Sequence, residues 1–215
     1  MKTFVVIGLD SFGSHLARRL SELGNEVLAV DQRMELVEEI ADDVTRAVTA
    51  DCLDEKVLRT LEISDFDCAV VAMSDMEANI LATSLLKHLG VRFVVSKSTS
   101  DLYTRVLTQV GADQVVFPEK DMGIKTAQNL SSSHILDFIE LSDKFSLVEL
   151  KLPPDWVGKS LASLDLRRTY GLNAVAIKHA GSGEVEVSVD PRYEFREGDV
   201  LAVVGANEDI SRVSR

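Results

Sequence analysis

The chain has little positive charge for its length. Its 215 residues carry 23 Lys and Arg against 35 Asp and Glu, which gives a formal net charge of -12 at pH 7. Broad binding to nucleic-acid phosphates or to anionic membrane surfaces requires the opposite balance, because basic side chains make most phosphate contacts. The composition therefore argues against a nucleic-acid-binding protein, and we expect no nucleic-acid partner.

Long apolar runs and cysteine pairs are also missing. No run approaches the roughly 18 residues that a membrane-spanning helix needs, and the first residues lead directly into an apolar segment without a signal-peptide pattern. We therefore expect a cytoplasmic protein. The two cysteines, Cys52 and Cys68, form no CxxC pair, and we interpret them as reduced, buried side chains.

Recognisable catalytic motifs are absent as well. The four histidines are scattered, and no HExxH, GxSxG or Cys/His arrangement occurs. This pattern favours a protein that is not an enzyme.

The most informative stretch runs from Thr3 to Asp31. An apolar run is followed by the turn Gly8-Leu9-Asp10-Ser11-Phe12-Gly13, by leucines at helical spacing, and by a second apolar run that ends on Asp31. This order is typical of a βαβ unit, in which the helix N-terminus faces a phosphate and the acid accepts hydrogen bonds from a ribose. The stretch therefore predicts a nucleotide-binding domain.

Asp10 departs from the G-x-G-x-x-G fingerprint of such units. The middle glycine normally lets a pyrophosphate approach the backbone, whereas Asp10 adds a side chain and a negative charge at that place. On these residues alone, a Rossmann-like domain that binds nucleotide weakly or not at all is an open alternative.

Strands and helices continue to alternate after Asp31. Further strands are predicted at 46–49, 68–73, 92–96 and 114–117, with helices between them, and Ser74-Asp75 is predicted to cap the helix after the fourth strand. Six strands that alternate with helices predict an α/β fold with a Rossmann-like, doubly wound parallel sheet. Its ligand is expected at the carboxyl ends of the strands.

The pattern changes after Lys120. Segments 122–130 and 135–141 are predicted to be apolar helices that pack on a partner subunit or on the chain's own second domain. Strands at 146–152, 173–178, 185–189 and 200–204, with helices at 161–169 and 208–213, predict a small α+β domain. We therefore expect a nucleotide-binding domain at 1–118, crossover and dimerisation helices with a hinge at 119–143, and a second domain at 144–215.

Several segments resemble the cytosolic regulatory subunits of Ktr and Trk potassium uptake systems. They are VVIGLDSFG, NEVLAVD, GADQVVFPEKDMGIKTAQNL, ILDFIELSDKFSLVEL, VGKSLASLDLRRTYGLNAVAIK and REGDVLAVVG. The resemblance extends over essentially the whole chain. It implies an RCK domain, the regulator of potassium conductance, followed by an RCK C-terminal domain.

The resemblance implies that Gly8 and the turn through Phe12 to Gly13 hold phosphates. The family usually carries Gly-Arg where this chain has Asp10-Ser11, and that arginine resembles a γ-phosphate sensor. ATP or ADP is the ligand that the family implies, whereas the departure makes NAD(H) or AMP-like ligands credible. A Mg or Ca ion with ATP would bridge Asp10 to a triphosphate.

The resemblance assigns the remaining nucleotide contacts to the ends of later strands. Asp31 is implied to take the ribose hydroxyls, with Gln32 and Arg33 beside it. Asp51 and Cys52 correspond to the adenine edge.

Four further positions complete the implied site. Ala72 and Met73 close over the nucleotide, and Lys97 reaches the phosphates. Glu119 matches an acid that approaches the terminal phosphate or its divalent cation across a dimer interface. The ordinary alternatives are a strand-end acid at Asp31, a solvated lysine at Lys97 and a helix N-terminal charge at Glu119.

Some members of the family bind cyclic di-AMP in the C-terminal domain. The matching positions here are Leu164, Leu166, Asn173, Ala174 and Pro191. Asn173 is suited to reading a base edge, whereas the apolar residues are equally suited to a core.

The resemblance implies a gating subunit that is not an enzyme. It would form a homodimer, assemble into a homo-octameric ring, and dock from the cytoplasm under a membrane potassium transporter subunit of the KtrB or TrkH type. The alternatives are an NAD(P)-dependent oxidoreductase, which the βαβ opening suggests, and a stand-alone nucleotide or cyclic di-AMP sensor.

Overall fold

The computed structural model describes residues 1–131 and 135–213. The chain divides into two compact units, Met1–Asp121 and the residues from Met122 onward. The first unit contains β1 (Thr3–Ile7), α1 (Ser11–Glu22), β2 (Glu26–Asp31), α2 (Met34–Ile40), β3 (Arg46–Thr49), α3 (Glu55–Thr60), β4 (Cys68–Val71), α4 (Met76–His88), β5 (Val94–Lys97), α5 (Asp101–Gln109), β6 (Gln114–Val116) and the start of α6 (Pro118–Ser131).

The sheet of the first unit is parallel throughout. Its strand order is β3-β2-β1-β4-β5-β6, which confirms the doubly wound α/β prediction. Successive residues of β1 pack into different cores: Val5 and Ile7 lie in one apolar cluster and Val6 in another. Burial on both faces explains why these strands are continuous apolar runs. The order reverses between β1 and β4, where such sheets leave a crevice.

The second unit is built on an antiparallel sheet of order β10-β9-β11-β8-β7. Its core includes the fully buried side chains of Trp156 and Phe195. The elements are β7 (Ile135–Ser142), β8 (Phe145–Lys151), α7 (Leu161–Leu164), α8 (Leu166–Tyr170), β9 (Asn173–Lys178), β10 (Val185–Val187), β11 (Val200–Ala206) and α9 (Asn207–Val213).

The helix predicted at 135–141 is wrong. Ile135–Ser142 is the strand β7, which pairs with β8 so that Phe138 faces Val148 in register. Ile135 and Phe138 pack against the core of the unit, and the Ser142-Asp143-Lys144 stretch turns the chain into β8. The segment is a hairpin strand because its pairing with β8 and the packing of these two side chains outweigh its short apolar pattern, which suits a helix equally well. Residues 132–134, within the predicted 119–143 segment, lie outside the described residues.

The single helix predicted at 161–169 is also wrong. It is split into α7 and α8, because Asp165 has a left-handed backbone with φ of 44° and a residue in that conformation ends a helix. Among the described residues, no helix has the length and apolar character needed to cross a membrane.

Candidate functional site

A cleft of about 250 Å³ lies at the carboxyl ends of the central strands of the first unit. Its walls come from the segments that follow β1, β2, β3 and β4. The lining residues are Ile7, Gly8, Asp10, Val30, Asp31, Gln32, Arg33, Ala50, Cys52, Met73, Ser74 and Asp75. The cleft therefore lies at the topological switch point, where ligands of this fold bind.

Two glycines allow close packing beside the cleft. Gly8 has φ of +93°, and a Cβ there would lie 2.8 Å from the backbone nitrogen of Met73. A Cβ at Gly13 would lie only 1.8 Å from the carbonyl oxygen of Gly8. The first residues of α1 therefore pack directly against the end of β1, as the first and third glycines of the fingerprint require.

Asp31 organises the end of β2. Its buried carboxylate accepts hydrogen bonds from the backbone N–H of Leu9 at 2.8 Å and of Arg33 at 2.9 Å. The Arg33 guanidinium also donates through Nε and Nη2, both at 3.0 Å. Burial alone would raise the pKa of Asp31, but these donors outweigh it and hold the pKa below its usual value.

Asp10 does not cap α1, although it occupies the N-cap position. Its carboxylate instead accepts a hydrogen bond from the Ser74 hydroxyl and pairs with Arg33 Nη2 at 2.7 Å. The hydrogen bond from Ser74 is the largest influence and lowers the pKa of Asp10; burial opposes it, and the hydrogen bond and charge of Arg33 add to the lowering, so the pKa lies below its usual value. The sequence prediction did not identify Ser74 as part of the site.

The two positions predicted to contact adenine, Asp51 and Cys52, lie just after β3. Gln32 donates to Asp51 Oδ1 at 2.7 Å, and the Leu53 N–H donates to the same oxygen at 2.9 Å. Cys52 is buried and lines the cleft, whereas Asp51 is exposed beside it. Burial, followed by the charge of Asp51, raises the pKa of the Cys52 thiol to about 12. Cys52 is therefore protonated at neutral pH and is a poor nucleophile.

Asn79 on α4 is a second residue that the sequence prediction did not identify. Its fully buried amide donates to the carbonyls of Val71, Met73 and Lys97, at 3.4, 3.2 and 3.3 Å. It thus ties the ends of β4 and β5 together behind the cleft. The sequence signal for Asn79 was a polar residue on the apolar face of α4. The helix begins after Asp75, whose carboxylate accepts a hydrogen bond from the Ala78 N–H, as predicted for a cap.

We expect Asn79→Ala to lower the free energy of unfolding of the first unit by about 1–3 kcal/mol, because buried carbonyls would lose their donor. Chemical denaturation followed by circular dichroism measures the change. Ser84→Ala is the matched control, since Ser84 lies on the same helix and is exposed. Equal stability of the two variants would contradict a structural role for the Asn79 amide.

Lys97, Glu119 and Phe12 come together at a separate place, outside the lining of the cleft. Lys97 Nζ pairs with Glu119 Oε1 at 2.9 Å and lies 6.0 Å from the centre of the Phe12 ring. The hydrogen bond from Lys97 is the main reason why the pKa of Glu119 lies below its usual value. Phe12 also lines an apolar cavity with Leu16 and Val95.

The other predicted positions differ in accessibility. Ser11 is exposed at the start of α1, and Ala72 is fully buried, with its N–H donating to the Ile7 carbonyl at 2.7 Å. Within residues 1–131 and 135–213, no three His, Cys, Asp or Glu side chains are grouped so that they could hold a metal ion. A metal at Glu119 therefore stays a prediction that needs ligands from elsewhere.

The predicted second-messenger positions lie at different depths in the second unit. Leu164 and Leu166 belong to the buried core of the second unit. Asn173 and Pro191 are exposed, and Ala174 is half-buried on β9. The two leucines therefore have the core role that was the alternative reading of these positions.

Two family models match the chain. The TrkA-N domain matches residues 4–118 and the TrkA-C domain matches residues 147–215. The first match alone extends over more than half of the chain.

Full-length relatives agree with these matches. The chain is 41% identical over 215 residues to Ktr system potassium uptake protein C of Bacillus subtilis, covering 100% of this chain and 96% of the relative. It is 40% identical over 212 residues to Ktr system potassium uptake protein A of the same organism, covering 98% of this chain and 95% of the relative.

A solved structure shares the fold of the first unit. The NAD(P)-binding domain of an exopolyphosphatase-related protein from Archaeoglobus fulgidus is 26% identical, with a TM-score of 0.55, over 61% of this chain and 98% of that one. With its TrkA-N and TrkA-C domains in order and relatives matched from end to end, the chain belongs to the family of Ktr potassium uptake proteins.

Proposed function

We propose that this chain is the cytosolic regulatory subunit of a potassium uptake system. It binds an adenine nucleotide in its first unit and thereby changes the activity of a membrane potassium transporter. The observation that carries this proposal is the 41% identity to Ktr system potassium uptake protein C over the whole of this chain and 96% of that protein.

The cleft supports the nucleotide part of the proposal. An adenosine fits its chemistry, because Ile7, Val30 and Ala50 offer apolar surface beside the Asp31 carboxylate, which is placed to accept ribose hydroxyls. The close packing at Gly8 brings the backbone near to such a ligand. The resemblance of this unit to an NAD(P)-binding domain also favours a ligand that contains adenosine.

The proposed phosphate contacts extend to Lys97 and Glu119. These side chains form an ion pair, so Lys97 is already placed as a cation beside α1 and Glu119 is an exposed carboxylate at the start of α6. A terminal phosphate would compete with Glu119 for Lys97. A divalent ion would take Glu119 as one ligand and complete its shell from the nucleotide and a second subunit.

Exposed apolar surface on α6 supports the assembly part of the proposal. Met122 and Ile124 are 61% and 51% exposed, and Leu130 is 82% exposed. Apolar side chains presented on one helix favour a subunit contact. We therefore retain the homodimer and the octameric ring of the family, docked on a transporter subunit of the KtrB or TrkH type, as part of the proposal.

The second unit is proposed to respond to cyclic di-AMP through its accessible positions only. Asn173 and Pro191 are exposed, so they are available to a ligand, whereas Leu164 and Leu166 would act by supporting the surface from the core.

Regulation is favoured over the oxidoreductase alternative. The relatives that match the chain from end to end are potassium uptake proteins by name.

Calorimetric titration of the purified chain with ATP, ADP, AMP and NADH tests the nucleotide part of the proposal. We expect at least one of them to bind, and Asp31→Asn to weaken its binding about tenfold or more, because a hydrogen bond to a charged group contributes about 1.5–3 kcal/mol. Glu38→Ala, an exposed acid on α2, is the control and should bind as the unmodified chain does. Failure of all four ligands, or steady consumption of NADH with a carbonyl substrate, would reject the proposal.

A further inference from the structure

One carboxylate joins three of the segments that line the cleft. Asp10 follows β1, and it is bound by Ser74, which follows β4, and by Arg33, which follows β2. Arg33 simultaneously holds Asp31 at 3.0 Å. We call Ser74, Asp10 and Arg33 the clasp.

The clasp lies where a diphosphate of this fold would pass. Asp10 occupies the middle glycine position of the fingerprint, at the N-terminus of α1, and its side chain turns to Arg33 and Ser74 rather than capping the helix. The only cation that lines this cleft, within the described part of the chain, is thus already neutralised by Asp10 and Asp31. The residues fit the adenosine half of a nucleotide and do not fit its phosphates equally well.

The charge of the cleft also disfavours the phosphates of a nucleotide. Three acids line the cleft, Asp10, Asp31 and Asp75, against one lining guanidinium among the described residues, that of Arg33. Each phosphate added to a ligand brings more negative charge toward Asp10, and Arg33 becomes available to that phosphate only when Asp10 is displaced from it. Since the Asp10 and Arg33 side chains are 29% and 48% exposed, solvent moderates this repulsion but does not remove it.

We propose that the clasp is a specificity determinant: Asp10 withholds Arg33 from the ligand and makes the cleft prefer adenine nucleotides with few phosphates over ATP. This inference rests on the proposed function and specifies the ligand class of the same site. Asp10 is the element that repels phosphate, Arg33 is the cation that it withholds, and Ser74 orients the carboxylate between them.

Paired affinities for AMP and ATP, measured by calorimetry in the presence of a chelator, test the clasp. The unmodified chain should bind AMP more tightly than ATP. Asp10→Asn removes the charge at nearly constant shape, and we expect it to raise the affinity for ATP about tenfold while the affinity for AMP changes less than about threefold. The gain should decrease as salt is added, because the groups are partly exposed.

A second variant assigns the gain to Arg33. In the double variant Asp10→Asn with Arg33→Gln, the gain in ATP affinity should disappear, since the released cation is its source. Asp42→Asn is the matched control: Asp42 is exposed and does not line the cleft, so its ratio of AMP to ATP affinity should equal that of the unmodified chain. Thermal unfolding of each variant confirms that the fold is retained.

The outcomes separate this inference from the proposed function. If nucleotides bind but Asp10→Asn changes AMP and ATP affinity by the same factor, the clasp is wrong and the proposed function stands. If ATP already binds more tightly than AMP in the unmodified chain without a divalent ion, the clasp is likewise wrong. If neither the unmodified chain nor Asp10→Asn binds any adenine nucleotide, both the proposed function and the clasp are rejected.

Discussion

Gly13→Ala is expected to unfold the first unit or to destabilise it by more than about 3 kcal/mol. A Cβ at this position would lie 1.8 Å from the carbonyl oxygen of Gly8 and 3.2 Å from the Cβ of Ala72. The first of these contacts is with backbone, which cannot rotate away as a side-chain end can. Helix α1 would have to move off the sheet, and Asp10, which precedes it and lines the cleft, would be displaced with it. Denaturation followed by circular dichroism measures the change.

Gly123→Ala is the control for this variant. Gly123 lies in α6, and a Cβ there would meet no atom within 4 Å, so alanine should be neutral or slightly stabilising because of its higher helix propensity. If Gly13→Ala were as stable as Gly123→Ala, α1 would not pack against the end of β1 as described.

Asp199→Ala is expected to have the largest effect in the second unit, with a loss of roughly 3 kcal/mol. The Asp199 carboxylate is 1% exposed and accepts from the N–H groups of Ala180 at 3.0 Å and Arg196 at 2.9 Å. The Tyr193 hydroxyl donates to it at 2.9 Å. Truncation leaves these donors without their acceptor.

The same carboxylate makes the second unit sensitive to acid. Burial would raise the pKa of Asp199, but the N–H donors and the Tyr193 hydroxyl outweigh it and hold the pKa below its usual value. The stabilisation is therefore fully present above the unfolded-state pKa of about 3.9, and it is lost as pH falls through the lower pKa of the folded state. Asp199→Asn should show a weaker dependence of stability on pH in this acid range.

Tryptophan fluorescence provides the measurement for both Asp199 variants. The chain has a single tryptophan, and Trp156 is buried in the core of the second unit, so its emission reports this unit alone. Glu197→Ala is the control, because Glu197 is an exposed acid in the same turn. Unfolding midpoints of Asp199→Ala and Glu197→Ala that coincide would contradict the proposed importance of the buried carboxylate.

The first unit was predictable because its signals are local. The strands β1 and β2 are continuous apolar runs, and the turn between β1 and α1 contains the two glycines that the packing requires. Apolar runs bounded by glycine-containing turns predict the strands and helices of a parallel sheet without knowledge of any long-range contact.

The segment 135–142 was misassigned because its length and apolar content suit both a helix and a strand. Pairing with β8 decides the outcome, and that pairing is a tertiary contact, which periodicity in a short apolar run does not reveal. The break at Asp165 between α7 and α8 was not predicted for a related reason. A residue with a left-handed backbone inside a helical pattern has no distinct sequence signal when it is not glycine.

The sequence predicted where the cleft lies but not the hydrogen bonds between its side chains. Asp31 was identified from its position at the end of β2, but the contacts of Asp10 with Ser74 and Arg33 join residues 64 and 23 positions apart. The role of Asn79 was not predicted, because its sequence position does not distinguish a buried amide from any other polar residue on a helix. The carbonyl partners that define the role are known only from the structure.

Rubidium influx into vesicles that contain a Ktr membrane subunit together with this chain measures regulation itself. We expect the nucleotide that binds in calorimetry to change the influx when it is added to the unmodified chain. It should have little effect with Asp31→Asn, provided that the variant still co-purifies with the membrane subunit. Influx that is identical with and without every adenine nucleotide, in vesicles where the two proteins are associated, would contradict the role of this chain as a nucleotide-responsive regulatory subunit.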